Sequence, residues 1–129
     1  MIKINQIIAA MFLTMVFISC GEDMQRPDGI ILFEDGSTFI ELVNVEDSRC
    51  PADVTCVWEG NAGVFMRISQ DESQQEFTLN SNPGENTGVK ETELFGYNIE
   101  LIDVSPFPTA KTTGNISLEE YVIDLKVTQ

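Results

Sequence analysis

The chain has 129 residues, with 21 acidic against 7 basic residues, no histidine and a formal net charge of −14. Because nucleic-acid binding needs clustered lysines and arginines to neutralise phosphates, this charge argues against a nucleic-acid partner. The absence of histidine excludes Ser-His and Cys-His nucleophile pairs, an imidazole general base and His-ligated zinc or copper sites.

The first segment of the chain, residues 1–19, has the layout of a lipoprotein signal peptide. Lys3 supplies a positively charged start, and the run Ile7–Ile18 is almost entirely apolar. Because a helix needs about 20 apolar residues to cross a bilayer, this shorter run predicts a removable signal rather than a membrane span. Residues 17–20, Phe-Ile-Ser-Cys, resemble a bacterial lipobox, in which a small residue precedes the cysteine that is diacylated and becomes the new N-terminus. The resemblance implies a lipid anchor on Cys20, since acyl chains hold a protein at a membrane.

Residues 20–28 are polar, contain Pro27 and lack periodicity, which predicts a short lipidated tether. Cleavage after Ser19 leaves 6 basic and 21 acidic residues, a net charge of −15. The acidic residues that follow Cys20 resemble the surface-export signal of some bacterial lipoproteins, so the periplasmic and the surface-exposed faces both stay open as locations. We therefore expect an outer-membrane lipoprotein of the cell envelope, whose lipid on Cys20 contacts the membrane.

Cys50 and Cys56 are the pair that remains once Cys20 carries lipid. Because the cell envelope is oxidising, we predict a disulfide between them. A redox or metal-binding pair is the alternative, but the spacing is not C-x-x-C and no further cysteine or histidine would complete a zinc site. The sequence thus predicts no cofactor and no metal.

The remaining residues, 29–129, predict one β domain. The expected strands contain Ile30 and Leu32, Phe39–Val45, Ala62–Ile68, Phe77–Leu79, Val89–Leu94, Tyr97–Val104 and Tyr121–Val127. Phe39–Val45 is apolar on both faces, which predicts an inner position in its sheet. The polar residues 71–73 predict a hairpin between the third and fourth strands. Short strands without an amphipathic helix indicate an all-β fold, a small antiparallel β-sandwich or barrel of about seven strands with one disulfide.

The most informative segment is residues 47–62, DSRCPADVTCVWEGNA. It resembles the signature DSRCPxxVxCxWxGxA of a family of small bacterial secreted proteins and lipoproteins. In that family the motif lies between two strands, and a Tyr-containing strand, a Pro-aromatic-Pro step and a closing strand that starts with Tyr follow it. Here Tyr97, residues 106–108 and Tyr121 stand in those places. The resemblance implies the fold and the location and supplies no activity.

The residue types of this segment predict a structural role, which we assign to Asp47, Ser48, Arg49, Pro51, Trp58 and Gly60. The guanidinium of Arg49 has five donors, so it can bridge carbonyls of the loop and the neighbouring carboxylates of Asp47, Asp53 and Glu59. Such a bridge would lock the loop.

Three further positions complete this interpretation. Pro51 fixes the backbone angle φ directly after the first cysteine of the pair. Trp58 is expected on the same strand face as Cys56, where its indole would pack against the disulfide and the core. Gly60 is expected to relieve crowding or to adopt an unusual φ before the next strand.

Two functions need no chemistry that the sequence lacks. The first is a non-catalytic binding or accessory module, which contacts an envelope protein or a polysaccharide through its loops. The second is an inhibitor of a basic hydrolase, lysozyme-like or a protease, in which the disulfide-braced loop acts as a wedge and the acidic charge steers the encounter. The oligomeric state stays open.

Other functions have weaker support. An enzyme with paired carboxylates among Asp47, Asp53 and Glu59 would need a cleft that so small a domain hardly offers. A calcium site would draw on oxygen donors in the stretch 46–61, but no D-x-D-x-D-G spacing is present. The aromatic residues Tyr97, Phe107 and Tyr121 could stack on sugars, although core and rim positions are the commoner places for such side chains.

Overall fold

The computed structural model describes residues 29–84 and 88–129. The predicted signal peptide, the lipidation site Cys20 and the tether 20–28 lie outside these residues. The described chain is all-β, as predicted, and its strands are β1 (Ile30–Asp35), β2 (Thr38–Asp47), β3 (Ala62–Gln70), β4 (Ser73–Asn80), β5 (Glu91–Leu94), β6 (Tyr97–Ser105) and β7 (Val122–Thr128).

The first sheet contains four antiparallel strands in the order β1-β2-β3-β4. The inner position predicted for the segment Phe39–Val45 is confirmed, because β2 pairs with β1 on one side and with β3 on the other. The hairpin predicted around residues 71–73 is also confirmed, since β3 and β4 pair directly from Gln70 and Ser73 onward. The second sheet is antiparallel with the order β5-β6-β7.

A β-bulge explains why β2 looks apolar on both faces. The pairing with β3 shifts between Leu42 and Asn44, which leaves Val43 as an extra residue that is 39% exposed. An extra residue reverses the alternation of side chains along a strand. Ile40 and Leu42 therefore face the core before the bulge, and Val45 packs against the same core after it.

The two sheets enclose one hydrophobic core, in agreement with the predicted sandwich. Its buried members come from β2, β3, β4 and β6: Ile40, Leu42, Ala62, Val64, Met66, Ile68, Leu79, Tyr97, Ile99, Leu101 and Val104. Every second residue of β7 packs against the edge of this core, and these residues, Ile123, Leu125 and Val127, are half-buried.

Helical structure is confined to one short element in the described chain, the 3₁₀ turn Leu118–Glu120. No helix within residues 29–84 and 88–129 has the length and apolar character needed to span a membrane.

Candidate functional site

The loop between β2 and β3 carries the sequence motif and lies at one end of the sandwich. Its two ends stay paired beyond the strands, because the Ser48 amide donates to the Asn61 carbonyl at 2.8 Å and the Cys50 amide donates to the Glu59 carbonyl at 2.9 Å. Gly60 adopts a φ of +72°, and a Cβ atom there would overlap the Ser48 carbonyl oxygen. Gly60 was expected to relieve crowding or to adopt an unusual φ, and the structure shows both.

Arg49 is the centre of a buried clamp between the two sheets. Its Nε and Nη2 atoms donate to Oδ1 and Oδ2 of Asp47 at 2.8 and 2.7 Å, which is a bidentate ion pair. Nη1 and Nη2 also donate to the carbonyl oxygens of Val104 and Pro106, so the guanidinium connects the end of β2 to the end of β6. The side chains of Arg49 and Asp47 are only 5% and 7% exposed.

Tyr121, the residue before β7, extends the clamp, because its hydroxyl donates to Oδ2 of Asp47 at 3.1 Å. Burial acts to raise the pKa of Asp47, but the hydrogen bonds and charge of Arg49 outweigh it, so the pKa of this carboxyl lies below its usual range. Burial, followed by the charge and hydrogen bond of Asp47, raises the pKa of Tyr121 to about 12. Both pKa shifts favour one protonation state of the clamp, in which the Asp47 carboxylate is ionised beside Arg49 and the Tyr121 phenol is neutral.

The other carboxylates expected around Arg49 lie elsewhere. Asp53 accepts a hydrogen bond from the amide of Ala110 at 2.7 Å, and Glu59 accepts one from the side-chain amide of Asn82 at 3.4 Å. The prediction that they bridge to Arg49 is wrong, because their loop positions turn them toward other segments. Of the three carboxylates, only that of Asp47, two residues before Arg49, accepts hydrogen bonds from the guanidinium.

The predicted disulfide between Cys50 and Cys56 is confirmed. Within the closed loop the Val54 amide donates to the Pro51 carbonyl at 3.2 Å, and the Ala52 amide ties the loop to the segment after β6 by donating to the Pro108 carbonyl at 2.8 Å. The loop that follows the first cysteine is therefore fixed by covalent and hydrogen bonds to its surroundings.

Trp58 does not pack on the disulfide or the core. It is 70% exposed, and its neighbour Val57 is 97% exposed. The prediction assumed a strand that places Cys56 and Trp58 on one face, but residues 57 and 58 form bends and β3 begins only at Ala62. The indole therefore projects from the loop into solvent.

A cleft of about 450 Å³ opens beside the loop. Its walls are formed by Arg49, Cys50, Glu59, Gly60, Ser81, Asn82, Leu101, Ile102, Asp103 and Phe107. Phe107 covers the guanidinium of Arg49, whose Cζ atom lies 4.3 Å from the ring centroid, yet 53% of the residue is exposed. The cleft thus combines an arginine that is already paired, two exposed carboxylates, Glu59 and Asp103, and the exposed ring of Phe107.

The three aromatic residues considered for sugar stacking occupy different environments. Tyr97 is buried in the core and donates to Oδ2 of Asp35 at 2.9 Å. Tyr121 is half-buried in the clamp, and Phe107 alone presents a large exposed ring at the cleft. Its place beside Arg49 was not predicted, although the Pro-Phe-Pro step in the sequence marked the segment.

Asp47, Asp53, Glu59 and Asn61, which lie in the stretch considered for calcium, are engaged with protein groups. Asn61 joins a network at the base of the loop, where its side-chain amide donates to Asn80 at 2.8 Å and its oxygen accepts from the Asn82 amide at 3.1 Å. In the part of the chain that the structure describes, no group of three or more acidic, cysteine or histidine side chains is arranged to hold a metal ion.

Comparison of this chain with protein-family models, with curated proteins and with solved structures finds no match.

Proposed function

We propose that this protein is a lipid-anchored, non-catalytic binding module of the bacterial cell envelope that contacts its partner through the disulfide-braced loop. The anchor is the lipid on Cys20, and the outer membrane is the proposed location. The partner classes carried forward from the sequence are an envelope protein and a polysaccharide.

The exposure of Trp58 and Val57 is the observation that carries this proposal. Burying a large apolar side chain is worth about 1.5–3 kcal/mol, so a fold gains nothing for its own stability by leaving an indole in water. Exposed tryptophans are characteristic of the few residues that dominate the energy of protein interfaces. The cleft that Glu59 and Gly60 of the same loop help to line also contains an exposed phenylalanine, Phe107.

The rigidity of the loop supports the same proposal. A binding loop that is already ordered loses less conformational entropy when it meets its partner. Here the disulfide, the Arg49 clamp and the backbone hydrogen bonds at Ser48 and Cys50 hold the loop in place before any partner arrives. A rigid loop that exposes the apolar side chains of Val57 and Trp58 is suited to binding a partner.

Inhibition of a basic hydrolase is the second candidate. Val57, almost fully exposed beside a loop that a disulfide closes, gives the shape of a wedge that can enter a substrate cleft. The candidates differ in outcome: an inhibitor lowers the rate of a purified hydrolase in proportion to its occupancy, whereas an accessory module binds without lowering that rate.

Affinity capture tests the proposal. The full chain, extracted from membranes in detergent, is used as bait against envelope and secreted fractions at low and high salt, and Trp58→Ala is compared with the native chain. The expected result is a partner that the native chain retains and that Trp58→Ala loses. Val43→Ala is the matched control, since it truncates an exposed apolar side chain on the outer face of the first sheet.

Equal loss of the captured partner in Trp58→Ala and Val43→Ala would contradict a role for the loop. Capture of the same partners by Trp58→Ala and by the native chain would contradict it as well. Intact-mass analysis of the extracted protein tests the anchor separately. Mass corresponding to a diacylated chain that begins at Cys20 is expected, and an unmodified Cys20 behind an intact signal segment would overturn the anchor.

A further inference from the structure

We infer that the cleft beside the disulfide loop receives a lysine or arginine side chain from a basic protein surface, so that the partner is a cationic protein. This inference rests on the proposed binding function and names the chemistry of the partner. The occupant follows from the charges and the aromatic surface around the cleft.

The described residues that line the cleft carry no uncompensated positive charge. Of the described residues that line it, Arg49 alone is basic, and its guanidinium is neutralised by the bidentate pair with Asp47 and by two carbonyl oxygens. Glu59 and Asp103 are exposed on the walls. An incoming anion would meet uncompensated carboxylates, whereas a cation would be attracted to both.

Asp103 stands opposite a second carboxylate. Its partner across the β6–β7 pair is Asp124, and both residues are exposed. Like charges directly opposite each other on neighbouring strands repel and destabilise the pair. Within residues 29–84 and 88–129, neither carboxylate lies within 4.0 Å of a lysine or arginine nitrogen. A cation bound at Asp103 would relieve this repulsion.

Aromatic surface at the same end of the sandwich favours a cationic side chain over a purely apolar one. Phe107 already holds one guanidinium, that of Arg49, at cation–π distance, and 53% of the residue is still exposed. Trp58, adjacent in sequence to Glu59, is the ring type that binds cations best. Carboxylates beside exposed rings hold an arginine by charge, by hydrogen bonds and by stacking.

The charge of the whole chain acts in the same direction. A net charge of −14 accelerates the approach of a basic partner and slows that of an acidic one. The electrostatic field of the chain would not attract a neutral polysaccharide. The net charge and the carboxylates of the cleft therefore favour a cationic protein over a saccharide.

The single tryptophan of the chain makes the inference testable, because Trp58 fluorescence reports on the loop without a label. The full chain in detergent is titrated with hexa-arginine, with hexa-lysine, with neutral hexa-glutamine and with maltohexaose. A saturable change in Trp58 emission is expected with the two cationic peptides and not with the other probes. The apparent affinity should fall as salt is raised.

Charge-matched variants separate the cleft from the general field. Glu59→Gln combined with Asp103→Asn should weaken hexa-arginine binding about tenfold, because charge-assisted hydrogen bonds are lost. Glu34→Gln combined with Glu93→Gln removes the same charge from exposed positions outside the cleft and should change the affinity less than about twofold. Thermal unfolding of both double variants checks that the fold is retained.

Equal weakening by the two pairs would overturn the inference, since binding would then reflect net charge alone. A response to maltohexaose without a response to the cationic peptides would also overturn it and would leave the binding function in place with a saccharide as ligand. If no probe responds while envelope capture still depends on Trp58, the cationic partner is wrong and the binding module stands. If capture is independent of Trp58 as well, both fail.

Discussion

Arg49 and Trp58 belong to one loop, yet they occupy opposite environments. The arginine side chain is enclosed: its guanidinium donates hydrogen bonds to Asp47 and to two carbonyl oxygens, and the ring of Phe107 covers its face. The tryptophan projects into water. A polar residue is buried and an apolar residue is exposed, which reverses the usual distribution. The enclosed part of the loop, at Arg49 and Gly60, therefore serves the fold, and the exposed part, at Val57 and Trp58, is available for a partner.

The largest expected effect comes from breaking the enclosed half. Arg49→Ala leaves Asp47 buried without its counter-charge, and such a loss costs about 4 kcal/mol of unfolding free energy. Urea unfolding followed by circular dichroism measures it. Arg67→Ala is the control, because Arg67 pairs with Glu41 and Glu76 on the outer face of the first sheet, where solvent screens the charges. Equal losses in the two variants would show that the clamp is no stronger than a surface pair.

The next effect concerns the backbone beneath the clamp. Gly60→Ala combines a positive φ with overlap on the Ser48 carbonyl, and we expect a loss of about 3 kcal/mol. Gly36→Ala is matched to it, because Gly36 has a φ of +59° but nothing within 4 Å of the added carbon. It should lose about 1 kcal/mol. Denaturant titration of both variants gives the difference, and equal values would remove the close approach as the reason for Gly60.

Loss of the disulfide should have a smaller effect on stability. Replacing Cys50 and Cys56 together by serine removes a short closed loop, and the chain-entropy relation gives a loss of about 2.4 kcal/mol. Differential scanning calorimetry of the native chain and the double variant measures it. Because the replacement also frees the segment that carries Val57 and Trp58, capture of the partner should weaken even at temperatures where both proteins are folded. Unchanged capture would show that bracing is unnecessary for binding.

The clamp also gives the protein a pH dependence with a defined sign. A carboxyl whose pKa is lowered in the fold contributes stability above its unfolded pKa and loses it as pH falls through the folded value. Asp47→Asn should therefore make the loss of stability below about pH 4 shallower. Tyr121 behaves oppositely, since its raised pKa contributes stability that is lost from about pH 10 upward, through its own pKa of about 12.

Two pH titrations of unfolding free energy check these signs. Glu34→Gln, an exposed carboxyl change, is the acid-side control, and Tyr121→Phe should flatten the alkaline limb. If the unfolding free energy of Asp47→Asn falls with decreasing pH as steeply as that of the native chain, other carboxyls govern acid unfolding.

The strands and the pair of Asp47 with Arg49 could be predicted from the sequence because both depend on local patterns. Alternation marks the strands, and Asp47 lies near Arg49 whatever the rest of the chain does. The partners supplied by Val104 and Pro106 are 55 and 57 residues away, and no local pattern brings those carbonyls to the guanidinium. Trp58 was placed wrongly because a strand was extended through residues that form bends. A bulge at Val43 likewise escapes a strict two-residue period.

The smallest expected effect on stability is at the exposed half of the loop. Trp58→Ala removes a side chain that is mostly in water, so the unfolding free energy should change by less than about 0.5 kcal/mol. Leu101→Ala, which truncates a fully buried side chain of the core, is the contrast and should lose about 3 kcal/mol. Urea titration of the two variants measures both. A large loss at Trp58 would mean that the indole supports the fold, and its exposure could then no longer be attributed to a partner. A negligible loss together with lost capture would assign the residue to recognition, because stability and binding would then depend on different halves of the same loop.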